Sequence, residues 1–207
     1  MFEFDPQSIH MLHRQKTLEW HHGQYRPSQK GFLQLVEENH HCNFQLWHEE
    51  DKARRDDMGY EFVYRAKRSI DGWNQKRNDL IEKMDRWLVE RLPGMPEGVP
   101  MNSEPPGMII DRLSILHLKM YHMKEEAGRE SAGTEHRDRC RQRLRIIHRQ
   151  HADLLEALEQ LLADVSAGRR GFRVYYQFKM YNDPALNPQL YEKLPIGNME
   201  EKGVGDK

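Results

Sequence analysis

The chain has 207 residues, 32 Lys and Arg against 33 Asp and Glu, a formal net charge of −1 and a hydrophobic fraction of 37%. At roughly 100–200 residues per domain this is one modest domain with room for a real core. Four Trp, eight Tyr and seven Phe keep it out of the disordered class despite a mean hydropathy of −0.95. The near-zero charge disfavours nucleic acid and membrane surfaces as partners. No stretch approaches the ~20 apolar residues of a membrane span. The opening MFEFDPQSIHMLHRQ lacks the basic-then-apolar layout of an export signal, so a cytoplasmic location is expected, with Cys42 and Cys140 as buried thiols rather than a disulfide.

Proline divides the chain. None falls between Pro27 and Pro93 or between Pro106 and Pro184, and both blocks are rich in helix formers. Because proline inside a helix costs ~3 kcal/mol, the spacing predicts an all-α antiparallel bundle with two long helices, a central buried helix and an irregular C-terminal tail. A first short helix, 6–22, starts at the Asp5-Pro6 cap and stops before Gly23. Ser28 opens a second, 28–55, whose stripe runs from Phe32, Leu33 and Val36 into His40, Asn43, Trp47, Asp51 and Arg54. A third, 57–91, buries Ala66, Ile70, Trp73, Leu80, Ile81, Met84 and Leu88 at near-heptad spacing and spans ~50 Å. After a Pro- and Gly-rich turnaround with Ser103 as a cap comes the fourth, 106–126, apolar on more than one side and therefore central. The fifth, 134–167, carries a seam from Cys140 through Leu144, Ile147, His151 and Leu158 to Val165, and Gly168 ends it. The run 172–178 is the best strand candidate, but it is too isolated to build a sheet and reads as irregular or helical. Residues 1–190 are expected to form a single domain, with 168–190 wrapping the bundle and 191–207 a flexible tail.

Polar residues within a helical seam carry the functional information, because burying one without a partner costs a few kcal/mol. On the second helix His40, Asn43, Glu50, Asp51 and Arg54 line up beside Trp47. On the third, Lys67, Asp71, Asn74, Asn78, Glu82 and Asp85 recur at intervals of three or four. The fourth adds Asp111, Arg112, Ser114, His117 and His122. Together they would line a polar cavity suited to an oxygen-rich ligand or a hydrated Mg²⁺, with the cofactor left unassigned. Boundary ion pairs along long helices are the competing explanation, although Asn74 and Asn78 do not follow from charge pairing.

Metal and catalytic motifs are constrained by spacing. Glu37-x-x-His40 and Glu38-x-x-His41 resemble half of a di-iron bundle site, but no second such element exists, since His117, His122, His148 and His151 have no carboxylate three residues earlier. A single ion on His40, His117 or His122 with a carboxylate stays open, and the metal is left unassigned. Glu82-x-x-Asp85 matches only half the signature of all-helical nucleotide pyrophosphohydrolases, the earlier helix offering Glu49-Glu50-Asp51 instead. Neither cysteine has an activating motif, Ser114 lacks a nucleophile elbow, and the glycines form no phosphate loop. Arg137, Arg141, Arg145 and Arg149 form a ridge without interleaved aromatics, which makes nucleic acid an unfavoured partner.

From Asn43-Phe44-Gln45-Leu46-Trp47-His48-Glu49-Glu50-Asp51-Lys52-Ala53-Arg54 onward, the chain resembles an uncharacterised bacterial domain-of-unknown-function family, DUF4254. The likeness continues through Ile70-Asp71, Asn74-Gln75-x-Arg77-Asn78-Asp79 and Glu82, then Glu104-x-Pro106-Gly107, Ile110-Asp111-Arg112-Leu113-Ser114-Ile115-Leu116, His122-Met123 and Gln177-Phe178-Lys179-Met180-Tyr181-Asn182-Asp183. It covers roughly residues 10–190. The resemblance implies a setting beside bacterial cell-surface polysaccharide glycosyltransferases. Its motifs fall on the polar stripes, on Trp47 and on the 177–183 segment, which is then expected to dock beside the cavity.

The sequence therefore leads to a ligand-binding bundle, with no reaction assigned. Asp71, Glu82 and Asp111 would act as bases or hold a metal. Arg54 and Arg112 would meet phosphate. Asn43, Asn74 and Asn78 would orient the ligand near Trp47, Glu50, Asp51 and His122, and His40 or His117 would shuttle a proton near neutral pH. The ligand class is a nucleotide or sugar nucleotide. The alternative is a non-catalytic module with a static polar network that associates with a protein partner, an enzyme of polysaccharide biosynthesis.

Overall fold

The computed structural model describes residues 4–92, 94, 97–180 and 183–191. Its order is α1 (Pro6–His22), α2 (Gly31–Lys52), a 3₁₀ turn (Asp56–Met58), α3 (Tyr60–Val89), α4 (Pro106–Gly128), α5 (Thr134–Ser166) and a one-turn α6 (Pro188–Tyr191). Among the described residues there is no strand beyond a single parallel bridge between Met101 and Gly171. The fold is an all-α helical bundle, as composition and proline spacing predict. The chain divides into two compact units, residues 1–175 and 176–207. The second contains α6 and the neighbouring rings of Tyr176 and Phe178. The expected docking segment belongs to that unit; Tyr181, Asn182 and most of the expected tail, 192–207, lie outside the described residues.

Within the first unit α2 packs against α3 and α4 against α5, while α1 lies across α2, α4 and α5. Gly107 at the start of α4 meets Asp85 near the end of α3, so those helices run antiparallel. Asn39 meets Asp111 and His48 meets His122, so α2 and α4 run the same way. The main core joins Ile9 and Leu12 of α1, Val36 of α2, Met84 and Leu88 of α3, Ile110 and Leu113 of α4 and Leu158 and Leu161 of α5. Each side chain so buried is worth about 1.5–3 kcal/mol. A smaller cluster, Leu46, Ala53, Ala66 and Ile70, closes the far end of the α2–α3 pair.

Helix starts depart from the sequence expectation in instructive ways. Asp5 caps α1 as expected, its Oδ1 accepting from Ser8 N at 2.9 Å. Ser28 does not open α2. Its backbone N–H and hydroxyl donate to Glu37, as does Gln29 N, and the helix begins only at Gly31, whose φ of +62° suits glycine. Glu37 is buried and also receives Lys16 Nζ at 3.2 Å, so a three-sided charge and hydrogen-bond set fixes the α1–α2 corner. Nor does Ser103 cap α4. Pro105 holds that position, and the orphan N–H of Gly107 is taken by the Asp85 carboxylate at 2.6 Å. That contact requires glycine: a Cβ on residue 107 would sit 2.7 Å from the Ile81 carbonyl oxygen. Instead of a strand, 171–175 supplies Gly171, which bonds the 100–102 loop on both sides, and Phe172, which enters the core.

Candidate functional site

Three helices bring polar side chains into the interior, and the hydrogen-bond donors there are ordered. Asp111 on α4 accepts from Asn39 Nδ2 at 3.0 Å and Asn43 Nδ2 at 2.9 Å. Asn43 also donates to Ser114 Oγ at 3.0 Å. Thr17 Oγ1 lies 2.8 Å from the His13 carbonyl, which can only accept, so the hydroxyl donates there and accepts from His40 Nε2 at 2.9 Å. His40 Nδ1 is then the acceptor for the Ser114 hydroxyl at 2.7 Å. The result is a one-way chain from Asn43 through Ser114, His40 and Thr17 to the α1 backbone, with Asp111 at its head.

Beyond Asp111 the network opens into a cleft of about 370 Å³ between α2, α3 and α4. Asn43, Trp47, Glu50, Asp51 and Arg54 line it from α2, Asn74 and Arg77 from α3, and Ile115 and Leu118 form an apolar wall from α4. Six of the residues singled out by sequence, Asn43, Trp47, Glu50, Asp51, Arg54 and Asn74, thus share one cavity. Arg54 sits at the exposed mouth and pairs with Glu50 Oε2 at 2.8 Å. Arg77 lies deeper. Its Nε is buried and makes no hydrogen bond, 3.9 Å from Asp111 Oδ1. Asn78 is buried one turn beyond Asn74, and Glu82 is half-buried a turn further on.

Other expected members fall elsewhere. Asp71 and Lys67 are exposed, Asp71 facing Arg68 at 3.5 Å, because the α3 stripe turns out to solvent at its N-terminal end. Arg112 pairs with Glu104 at 2.7 Å and lines a separate cleft of about 600 Å³ between α4 and α5, so it does not join Arg54. His122 stacks on the Trp47 ring at 4.6 Å and 8°. Burial pushes His40 down to about 3, and burial with the neighbouring His151 pushes His117 down to about 2. Both stay neutral near pH 7, which removes them as proton shuttles there. Arg141, Arg145 and Arg149 of the α5 ridge are exposed and Arg137 is half-buried.

Sequence reasoning did not put Arg77 or Asn39 among the candidates. Arg77 had a signal, standing three residues after Asn74 and so on the same face; Asn39 looked like one polar residue among several in Glu38-Asn39-His40-His41. Two histidine triads were also missed, because each is assembled from three helices: His10, His117 and His151, and His21, His48 and His122. They are the groups among the described residues with the convergence a metal needs. In the first, His117 Nε2 and His151 Nε2 are 3.0 Å apart, beside the fully buried His13, whose two nitrogens have no hydrogen bond. No helix among the described residues is long and apolar enough to cross a membrane.

The model of a family described as "Protein of unknown function (DUF4254)" matches residues 33–174. No curated protein and no solved structure matches.

Proposed function

Because the chain belongs to the DUF4254 family, whose description assigns no activity, we propose its function from the cleft itself: it binds a small, oxygen-rich, phosphorylated ligand, a nucleotide or sugar nucleotide, between α2, α3 and α4. The carrying observation is Arg77, a half-buried guanidinium whose Nε makes no hydrogen bond, on a cleft whose other polar lining is Asn43, Asn74, Glu50, Asp51 and Arg54 against an apolar wall. The Arg77 side chain is 27% exposed and lines the cleft, so its terminal nitrogens can donate charge-assisted hydrogen bonds to a phosphate oxygen there. Arg54 at the mouth is the second cation, Trp47 offers a ring face to a base or sugar, and Glu50, Asp51 and Asn74 suit hydroxyls or a hydrated Mg²⁺. Asp111 holds the floor through Asn39 and Asn43 and is a positioning group in this reading. The reading assigns binding and no bond-breaking step. It places the protein in the cytoplasm, where its two buried free thiols would stay reduced, and in a bacterial polysaccharide-biosynthesis setting.

A second reading, a static module that associates with a biosynthetic enzyme, is favoured by a different observation: the chain from Asn43 to the His13 carbonyl is satisfied without any ligand. The exposed pair Tyr60 and Tyr64 beside Met58 is the surface such a module would offer. A thermal-shift screen of UDP, UDP-glucose, GDP-mannose and pyrophosphate, with and without MgCl₂, separates the two. At a hundredfold excess over Kd the ligand reading expects about 2.7 kcal/mol of stabilisation. No shift with any of them supports the static module.

A further inference from the structure

His21 near the end of α1, His48 on α2 and His122 on α4 each bring a ring nitrogen to within 4.8 Å of the others. All three are half-buried, which leaves an entry path from solvent. Aromatic neighbours hold the rings. Tyr121 stacks on His21 at 3.8 Å, Trp47 covers His122, and Phe44 sets its edge against His21 at 4.9 Å and His48 at 4.6 Å.

The hydrogen bonds on the far side of two of these rings fix their tautomers. His21 Nδ1 lies 2.6 Å from the Thr17 carbonyl oxygen, which only accepts, so Nδ1 carries the proton of the neutral ring and Nε2 a lone pair. His122 Nδ1 lies 3.0 Å from Glu125 Oε2, and a carboxylate imposes the same assignment. The two Nε2 atoms then face each other at 3.3 Å, acceptor against acceptor. A cation between them removes that conflict. Tetrahedral Zn–N bonds of 2.0–2.1 Å set an N···N edge of about 3.4 Å, close to the observed separation. Ligand histidines typically give their other N–H to a carbonyl or carboxylate, as both do here. The His10–His117–His151 triad differs: among the described residues no hydrogen bond to a carbonyl or carboxylate pins those rings, so one imidazole can donate to the next and no cation is required.

We propose that His21, His48 and His122 form a mononuclear site for a divalent first-row transition metal of the zinc class, with the Thr17 carbonyl and the Glu125 carboxylate as its outer partners. Three imidazoles select against Mg²⁺ and Ca²⁺, which take oxygen ligands. Three protein ligands leave a fourth position for water or substrate, the make-up of a catalytic rather than a structural zinc centre. Trp47 is common to this site and the cleft, yet the metal assignment stands whether or not a ligand binds there.

The test is calorimetric titration of the full chain, after chelator treatment and removal of the chelator, with Zn²⁺, and in parallel with Co²⁺ followed by visible absorption. The expected result is a site that gives the absorption of four-coordinate Co²⁺, is lost in His48→Ala and His122→Gln, and is weakened 10–100-fold in Glu125→Gln. Glu125 is exposed, so its variant tests the outer partner without disturbing the core, and an unchanged circular-dichroism melt checks this. Absence of Zn²⁺ binding in the unaltered chain overturns the proposal. So does binding that survives all three substitutions, or that is lost only in His10→Ala or His151→Ala.

Discussion

Replacing Asp111 by alanine removes the acceptor on which the interior network converges. Asn39, fully buried, loses the acceptor of its Nδ2 group, and Asn43 loses one of two, keeping Ser114 Oγ. A buried donor stripped of its partner costs about 1–3 kcal/mol. The Arg77 guanidinium 3.9 Å away also loses the nearest negative charge. The sum, full cost for Asn39 and a smaller one for Asn43 and Arg77, is roughly 2–5 kcal/mol, a large part of the 5–15 kcal/mol that holds a domain together. At about 2–4 °C per kcal/mol for a chain of this size, the melting temperature should fall by roughly 4–20 °C. Asp111→Asn is the control. Its carbonyl oxygen can still accept from both amides and only the charge near Arg77 is gone, so about 1 kcal/mol is expected. Urea denaturation of the three proteins, with m-values compared, reads both numbers. A loss under ~1 kcal/mol for the alanine variant, or equal losses for both variants, would refute the reasoning.

Two more outcomes follow from the same interior. His40, His117, His41 and His151 are held at about 3, 2, 4 and 4, chiefly by burial, so below pH 6.5 the unfolded chain binds protons that the native chain refuses. Stability should therefore fall as pH drops from 6.5 toward 4, at ~1.4 kcal/mol per pH unit for each histidine fully protonated only when unfolded. Asp85, raised by burial to about 7, acts oppositely over the same range, since the native chain keeps a proton there that the unfolded chain releases. Four groups outweigh one; a urea midpoint that rises on acidification from pH 6.5 to 5 would contradict this account. Gly107→Ala should destabilise by about 1–3 kcal/mol or more, because the new Cβ would lie 2.7 Å from the Ile81 carbonyl oxygen, which is helix backbone, and 2.9 Å from Asp85 Oδ1, which is buried and bonded to Gly107 N. A melt within 1 °C of the parent protein would show that α3 and α4 separate more readily than their contact suggests.

Much of the bundle was legible because periodicity and proline are local signals. Leu80, Ile81, Met84 and Leu88 announce a buried face of α3, and they are buried. Helix starts were less legible where tertiary contacts replace local caps: Glu37 claims Ser28, and Asp85 reaches across from α3 to serve Gly107. The cleft was legible along α2, where Asn43, Trp47, Glu50, Asp51 and Arg54 repeat every three or four residues on one face. It was less so on α3, because a polar stripe has the same spacing whether it faces a cavity or water: Asn74 and Arg77 line the cleft and Asn78 and Asp85 are buried, while Lys67 and Asp71 are exposed. Arg112 shows the same limit. It follows Asp111 directly, and adjacent helical residues point about 100° apart, so the pair divides between the interior and a different cleft. The histidine triads were invisible for a stronger reason, since no spacing within one helix encodes a meeting of three, α1 and α4 with α5 in one triad and with α2 in the other.

The account turns on Arg77 meeting a phosphate. Calorimetry of UDP-glucose binding to the parent chain and to Arg77→Met, both with intact circular-dichroism melts, tests this directly. The account predicts measurable binding to the parent and a loss of about 10–100-fold in the variant, equivalent to a charge-assisted hydrogen bond of ~1.5–3 kcal/mol. Equal affinities for the two proteins, or no heat from either, would contradict it.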